Sequence, residues 1–247
     1  MIENIIQELD FRIVTLKELK KKPSFMSRND KKFIVPETML PSILTYLQRS
    51  FQILSVDGKK IQTYKNVYYD TDNLRCAKDH FRGKRPRLKF RKRNYLLTGE
   101  SFWEIKRKSA RGRMEKSREV VEGEVDGCPD FFSVAKDNEK LFCSLVNRYL
   151  RSSFYDFTSC EKVTIDLDLS IYDDGRFISL LKGFAIVEVK GEHFLQSMFC
   201  RFLKERAIYP INFSKYCYGI GTLNPNLFPE KRKMITRYLN KKNRNYE

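Results

Sequence analysis

The stretch RPRLKFRKR (residues 85–93) shapes the interpretation of the whole sequence. Each odd position carries a cation: Arg85, Arg87, Lys89, Arg91 and Arg93. Leu88 and Phe90 lie between them. Alternation with a period of two predicts a β-strand, because successive side chains of a strand point to opposite faces. One face of this strand would therefore carry stacked positive charge, and the opposite face would be apolar except at Lys92.

The same division into a charged and a largely apolar face recurs in four further stretches: 27–35, 100–108, 161–170 and 184–191. In 184–191, for example, Glu188 and Lys190 project opposite Val187 and Val189. An open sheet with wet charged faces fits this pattern, and so does a closed barrel with a charged interior. Buried like charges need a partner, and a polyphosphate chain with a divalent metal is one. Lysine and arginine match phosphate oxygens, and carboxylates hold the metal.

Composition narrows the class of protein. The chain has 247 residues and a net charge of +17, which suggests a polyanionic partner such as nucleic acid, a phosphate-rich ligand or an anionic membrane. The six cysteines form no C-x-x-C pair and only two histidines are present, so we expect no structural zinc site. The N-terminus lacks a signal-peptide pattern, and no apolar run approaches the roughly 20 residues of a membrane span. We expect a cytoplasmic protein without a transmembrane segment.

Periodicity and turn residues predict a mixed chain in which antiparallel strands dominate. A capping box at Thr15 and Glu18 predicts a short helix. The other predicted helices span 2–9, 37–50, 130–146, 192–207 and 229–242. The predicted strands span 27–36, 61–70, 86–95, 100–108, 116–123, 161–170 and 184–191.

Ten segments, in family order from about residue 10 to residue 221, resemble the polyphosphate polymerase (VTC) domain of the triphosphate tunnel metalloenzyme superfamily. They are TLKEL, RNDKKF, VYYDT, RLKFRKR, WEIKRK, RMEKSRE, NRYLRSSF, TIDLDL, IVEVKG and FSKYCYG. The resemblance implies an α+β fold, in which an eight-stranded antiparallel β-barrel forms a tunnel with a charged interior and helices packed outside. It also implies one domain over 1–247, with a helical lead-in at 1–24, a tunnel core at 25–221 and a basic C-terminal helix at 222–247.

The resemblance further implies an enzyme that transfers the terminal phosphoryl group of ATP, or of another nucleoside triphosphate, to a growing inorganic polyphosphate chain. The residues that match family positions for catalysis are Arg87, Lys89, Lys106, Arg151 and Lys190. Those that match further phosphate-binding positions are Lys32, Lys116, Ser214 and Lys215. Glu188 matches the metal ligand for Mn²⁺ or Mg²⁺, with Asp166 or Asp168 either assisting it or pairing with interior cations. No nucleic-acid partner is expected, and a membrane partner is left open.

One departure from the resemblance bears on the reaction. Related hydrolases carry E-x-E-x-K on the first strand, whereas this chain has Arg28-x-Asp30-x-Lys32. Loss of a carboxylate favours transfer over hydrolysis, because hydrolysis needs enough carboxylates for metal ions and an oriented water. Two alternatives stay open: a tunnel triphosphatase acting on inorganic triphosphate or a nucleotide, and a non-catalytic module that binds polyanions.

The remaining charged residues receive simpler interpretations. We expect seven cations to be solvated surface residues: Arg91, Lys92, Arg93, Arg107, Lys231, Arg232 and Lys233. In the tunnel interpretation, Arg85 and Arg93 would guard its mouths. Trp103 is expected in the core or the tunnel wall.

Overall fold

The computed structural model describes residues 2–21, 29–121, 132, 139–191 and 197–246. Its helices are α1 (Ile2–Glu8), α2 (Leu16–Lys21), α3 (Leu40–Gln48, after a 3-10 turn at Glu37–Met39), α4 (Arg75–Arg82), α5 (Met198–Glu205), α6 (Lys215–Leu223) and α7 (Pro229–Tyr246). Its strands are β1 (Ile13–Thr15), β2 (Asn29–Pro36), β3 (Gln52–Ser55), β4 (Gln62–Asp70), β5 (Arg87–Tyr95), β6 (Ser101–Lys108), β7 (Met114–Val120), β8 (Phe142–Asp156), β9 (Glu161–Asp173), β10 (Arg176–Ser179) and β11 (Phe184–Gly191). The α+β class is confirmed.

The strands form one large sheet, in which eight strands follow the order β2-β11-β9-β8-β4-β5-β6-β7. All neighbours along this path are antiparallel. β10 adds to β9, β3 pairs with β8 in antiparallel orientation, and β1 pairs with β3 in parallel orientation. Among the described residues the path ends at β2 and β7 without a hydrogen-bonded closure. The predicted closed barrel is therefore not confirmed.

The sheet is nevertheless curled around its charged face. The adjacent residues Ser214 and Lys215 contact Lys89 on β5 and Asp166 on β9, two strands that β4 and β8 separate in the sheet. The charges of Glu188 and Lys190 on β11 also act on the pKa of Lys106 on β6, which requires proximity across the same face. We call this charged side the concave face. Its shape is compatible with a tunnel.

Helices cover the convex face of β2, β9 and β11, as the alternation predicts. The apolar residues of these strands are buried against α1, α3 and α5, and they include Phe33, Val35, Val163, Ile165, Val187 and Val189. A smaller cluster behind β5 and β6 buries Phe90, Trp103 and Ile105 around Phe132. The predicted core position of Trp103 is thus confirmed. These clusters leave the charged side chains no outward space and hold them on the concave face.

One end of the concave face is covered by α4, α6 and α7. Tyr216 and Ile220 of α6 pack on Tyr68 of β4 and Leu145 of β8. The close approach requires Gly219, because a Cβ atom there would lie 2.7 Å from Cδ2 of Leu145. α7 contributes Ile235 to a neighbouring apolar cluster. The charged face is therefore closed off by apolar packing at this end.

Local structure largely follows the sequence signals. The capping box is confirmed, since the backbone N–H of Thr15 donates to Glu18 Oε2 and that of Glu18 donates to Thr15 Oγ1. The helix predicted over 130–146 is wrong where it can be checked, because β8 starts at Phe142. Residues 133–138 lie outside the described part. No helix in the described ranges is both long and apolar enough to cross a membrane.

Candidate active site

The concave face brings the sequence-predicted cations together from seven elements, six strands and α6. Two rows of directly opposed residues cross it. Lys32 of β2 lies opposite Glu188 of β11. Lys89 of β5 lies opposite Lys106 of β6, which lies opposite Lys116 of β7. Side chains in such pairs project to the same side of the sheet, so like charges accumulate.

Asp166 organises one part of the face. It is 1% exposed, and it accepts two hydrogen bonds from Arg151, including one of 2.7 Å from Nη2 to Oδ2. Lys215, at the start of α6, also donates to Asp166 Oδ2. Burial alone would raise the pKa of Asp166, but Arg151 and Lys215 hold it below its usual value. Asp166 is therefore an ion-pair partner that orients two predicted phosphate-binding cations.

Glu188 lies beside this pair and is 7% exposed. Lys190 Nζ is 3.3 Å away, Lys32 Nζ is 3.6 Å away and Arg151 Nη2 is 3.9 Å away. Burial opposes its ionisation, yet these cations hold the pKa of Glu188 well below its ordinary value. Glu188 is an ionised carboxylate at neutral pH, as a metal ligand must be.

A third carboxylate, Glu104, is fully buried and was not singled out from the sequence. Arg91 Nε donates to Oε2 at 2.6 Å, and Lys116 Nζ lies 2.6 Å from Oε1. Burial would raise the pKa of Glu104, but Arg91, Arg93 and Lys116 lower it far below its usual value. The sequence does indicate its position, because the period of two places Glu104 on the same face of the strand as Lys106.

The Glu104 cluster corrects two predictions. Arg91 and Arg93 were expected at the surface or, for Arg93, at a tunnel mouth, but they are 8% and 9% exposed. Arg93 also donates to Asn66 Oδ1, and Asn66 donates to Asn147. The alternating register that carries Lys89 inward carries Arg91 and Arg93 inward too. Arg107, on the opposite side of β6, is exposed as expected.

Lys106 and Lys89 lack a carboxylate partner. Neither makes an ion pair with any of the described residues, and Lys89 donates one hydrogen bond of 3.0 Å to Ser214 Oγ. Arg91, burial and Lys190 together lower the pKa of Lys106 well below its ordinary value. Burial lowers the pKa of Lys89. These two lysines form the part of the face where positive charge is least compensated.

Arg87 lies farther along β5, at the edge of the face. It is half-buried and donates to the backbone oxygen of Lys84 at 3.3 Å. Burial and the charge of Arg85 lower its pKa. Arg85 itself is exposed, which agrees with the expected position at a mouth.

Asp168 does not belong to the site. It has a left-handed backbone conformation with φ of 51°, and it lies where the pairing of β8 and β9 shifts register. The irregularity takes its side chain out of step with Asp166, and Asp168 is exposed. Of the two roles considered for Asp166 and Asp168, the contacts support one, the pairing of Asp166 with interior cations.

The residues around Glu188 fit a divalent cation that binds together with phosphate. Thr164, directly opposite Glu188, is 1% exposed, and its Oγ1 has no hydrogen-bond partner in the described part of the molecule. A carboxylate and a hydroxyl are oxygen donors of the kind that Mg²⁺ or Mn²⁺ accept, with phosphates as further ligands. Within the described ranges, no group of three or more His, Cys, Asp or Glu side chains forms a metal cage. Because the surrounding side chains are positively charged, we expect a divalent cation to bind here only together with phosphates.

Lys116 makes the charge of the face sensitive to pH. Burial lowers its pKa to about 8, although Glu104 opposes the shift. Above that pH we expect Lys116 to be mostly neutral in the free protein, and a bound phosphate would favour its charged form. At about one pH unit above this pKa, binding of inorganic tripolyphosphate should therefore be accompanied by proton uptake. The uptake is measured by calorimetry in buffers of different ionisation enthalpy.

Lys116→Arg is the matched variant, because arginine keeps its proton throughout this range. It should bind tripolyphosphate with reduced proton uptake. Equal uptake by the variant and the wild type would show that Lys116 does not contact the bound phosphates.

The family comparison covers the first part of this site. Residues 27–141 match the VTC domain. This stretch is less than half of the chain, and it is similar to the VTC domain. The matched stretch of the VTC domain contains Lys32, Arg87, Lys89, Lys106 and Lys116. The remaining predicted residues follow it in the chain: Arg151, Glu188, Lys190, Ser214 and Lys215.

Solved structures with a similar chain trace are distant. A candidate adenylate cyclase from Vibrio parahaemolyticus is 11% identical, covers 76% of this chain and 94% of its own, and has a TM-score of 0.46. A Hippeastrum protein described as having dominant triphosphatase activity is 16% identical, covers 77% of this chain and 93% of its own, and has a TM-score of 0.47. The PH1819 protein from Pyrococcus horikoshii is 13% identical over 81% of this chain and 99% of its own, with a TM-score of 0.46. No curated protein matches the chain. The likeness to the VTC domain rests on the match over residues 27–141 alone.

Proposed function

We propose that this protein is a metal-dependent polyphosphate polymerase. It transfers the terminal phosphoryl group of ATP to the end of an inorganic polyphosphate chain on the concave face. The VTC family match and the chemistry of the face support this proposal. We also propose that the chain acts as a single tunnel domain in the cytoplasm, where a membrane partner would be a separate protein.

The observation that carries the proposal is the uncompensated charge at Lys89 and Lys106. Both are half-buried cations without a carboxylate partner among the described residues, and burial and like charges lower the pKa of each. Buried like charge is costly unless an anion neutralises it. Phosphate oxygens supply that anion. A chain of phosphates can neutralise Lys89, Lys106 and Lys190 together, which a single anion cannot do.

The proposed reaction needs alignment and charge neutralisation more than covalent help. Lys89, Lys106, Arg151 and Lys215 would hold the nucleotide phosphates, while Lys190 would hold the acceptor chain. A terminal phosphate oxygen of the acceptor attacks the γ-phosphorus, a new P–O bond forms, and the bond to the β–γ bridging oxygen breaks to release ADP. The attacking oxygen is already ionised, so no general base is required. When bound at Glu188 and Thr164, the metal supplies further neutralisation of phosphate charge.

The carboxylates of the face favour transfer over hydrolysis. Asp166 and Glu104 are each engaged by at least two cations, and Asp30 pairs with Lys32 at 2.6 Å. Glu188 is also surrounded by cations, but at the longer distances of 3.3, 3.6 and 3.9 Å, and the hydroxyl of Thr164 opposite it has no hydrogen-bond partner in the described part of the molecule. A face with one such carboxylate lacks the second acidic group that would orient an attacking water.

Product stoichiometry tests the proposal. Purified protein is incubated with ATP and Mn²⁺, and ADP and free phosphate are measured over time. The proposal expects ADP to accumulate well ahead of free phosphate. Equal amounts of ADP and phosphate would identify a triphosphatase, and absence of turnover with salt-dependent polyphosphate binding would identify a binding module.

A further inference from the structure

A cavity of about 100 Å³ lies between α4, α6 and α7, at the closed end of the concave face. Its walls include the aromatic rings of Phe81 and Phe228, which stack on each other at 4.7 Å between centroids. Ile235 of α7 adds apolar surface, and Asn212 and Ser214 add polar atoms. A mostly apolar cavity with a few polar groups is typical of a site for a small organic ligand.

The cavity borders the phosphate-binding cations. Ser214 lines it and accepts the hydrogen bond from Lys89 Nζ on the concave face. Cys217 also lines it, and the charges of Lys89 and Arg87 act on this thiol, partly offsetting the effect of burial, which raises its pKa. Any ligand in the cavity would therefore lie one side chain away from a phosphate held by Lys89 or Arg87.

We propose that this cavity binds the nucleobase of the nucleotide whose triphosphate lies along the concave face, an inference that rests on the proposed function. The volume exceeds that of a water molecule, about 30 Å³. It falls short of the roughly 300 Å³ at which pockets for complete drug-sized ligands begin. A single planar ring system fits this range, with the sugar and phosphates outside. Phe81 and Phe228 offer apolar contact to the ring, while Asn212 and Ser214 offer hydrogen bonds to its edge.

A nucleobase bound in this cavity would fix the orientation of the nucleotide along the concave face. The base would lie under α4, α6 and α7, and the first phosphates would contact Arg87 and Lys89. The terminal phosphate would then point along the face toward Lys106, Glu188 and Lys190. The polyphosphate chain would occupy the opposite end of the face.

Gly221 offers a way to fill the cavity without removing any group. It lies in α6 and lines the cavity, and a Cβ atom there would lie 3.6 Å from Cζ of Phe81, an ordinary contact. Gly221→Leu should weaken binding of a non-hydrolysable ATP analogue by about tenfold, while the affinity for inorganic tripolyphosphate stays within about twofold. Both affinities are measured by calorimetry on the full chain. Thr222→Leu, at the next position of α6 and outside the cavity lining, is the matched control and should change neither.

A second variant guards against misfolding of the first. Met234 lines the cavity but is 49% exposed, so Met234→Ala should leave the fold intact. It should lower the affinity for the ATP analogue by about threefold and leave the affinity for tripolyphosphate unchanged. Unchanged binding of the ATP analogue by both variants, or equal weakening of both ligands, would overturn the nucleobase site. If wild-type protein bound neither ligand, the proposed function itself would be contradicted.

Discussion

Glu188→Gln should abolish polyphosphate synthesis, with a loss of about 100-fold or more, the size expected when a group that stabilises the transferring phosphoryl is removed. Glu188 is the carboxylate opposite the orphan Thr164 Oγ1, so its replacement removes the proposed metal ligand without changing the side-chain volume. The assay is the rate of polymer formation from ATP at saturating Mn²⁺.

Binding without metal separates this role from a structural one. A carboxylate repels phosphate, so Glu188→Gln should bind tripolyphosphate in metal-free buffer at least as tightly as wild type. Added Mn²⁺ should then enhance binding to wild type and not to the variant. Glu115→Gln, an exposed carboxylate on β7, is the control and should behave as wild type. Polymer formation at the wild-type rate by Glu188→Gln would contradict the assignment of Glu188 as the metal ligand.

Arg151→Met should cause the largest loss of stability, about 3–5 kcal/mol, because it breaks a buried ion pair. Asp166 would keep Lys215 but lose both hydrogen bonds from Arg151. We expect the lower end of the range for that reason. Free energies of unfolding from urea titration measure the effect. Lys233→Met removes an exposed pair with Glu230 on α7 and should leave stability unchanged.

A double substitution tests whether the pair acts as a unit. Arg151→Met combined with Asp166→Asn should cost less than the sum of the single changes, with a coupling of about 1–3 kcal/mol. Polymer formation should stay lost in the double variant, because the proposed phosphate-binding guanidinium is still missing. Additive costs would show that Asp166 does not hold Arg151 in place.

The alternation of residue types predicted the charged face but not its internal pairing. Period-two patterns located β2, β5, β6, β9 and β11 and assigned their apolar sides correctly. The partners of Glu104 could not be derived, because which strands are neighbours depends on the topology of the sheet. Asp168 left the expected face because of a local irregularity that the pattern does not encode.

β8 was missed for a related physical reason. Its concave side alternates Leu145, Asn147, Tyr149 and Arg151, a mixture of apolar, polar and charged residues that hides the period of two. The helix predicted over 130–146 reached into the first residues of this strand instead. The polar residues are tolerated inside because their partners come from β4, β5 and β9, as Asn147 with Asn66 shows. Such partners are remote in sequence, so tertiary contacts overrode the local pattern.

The most direct test of phosphoryl transfer on the concave face uses ATP labelled on its γ-phosphate. Purified protein is incubated with this ATP and Mn²⁺, and the products are separated on a gel that resolves polyphosphate by length. The proposed function predicts a ladder in which the label moves into progressively longer chains. Label found only in free phosphate would contradict it.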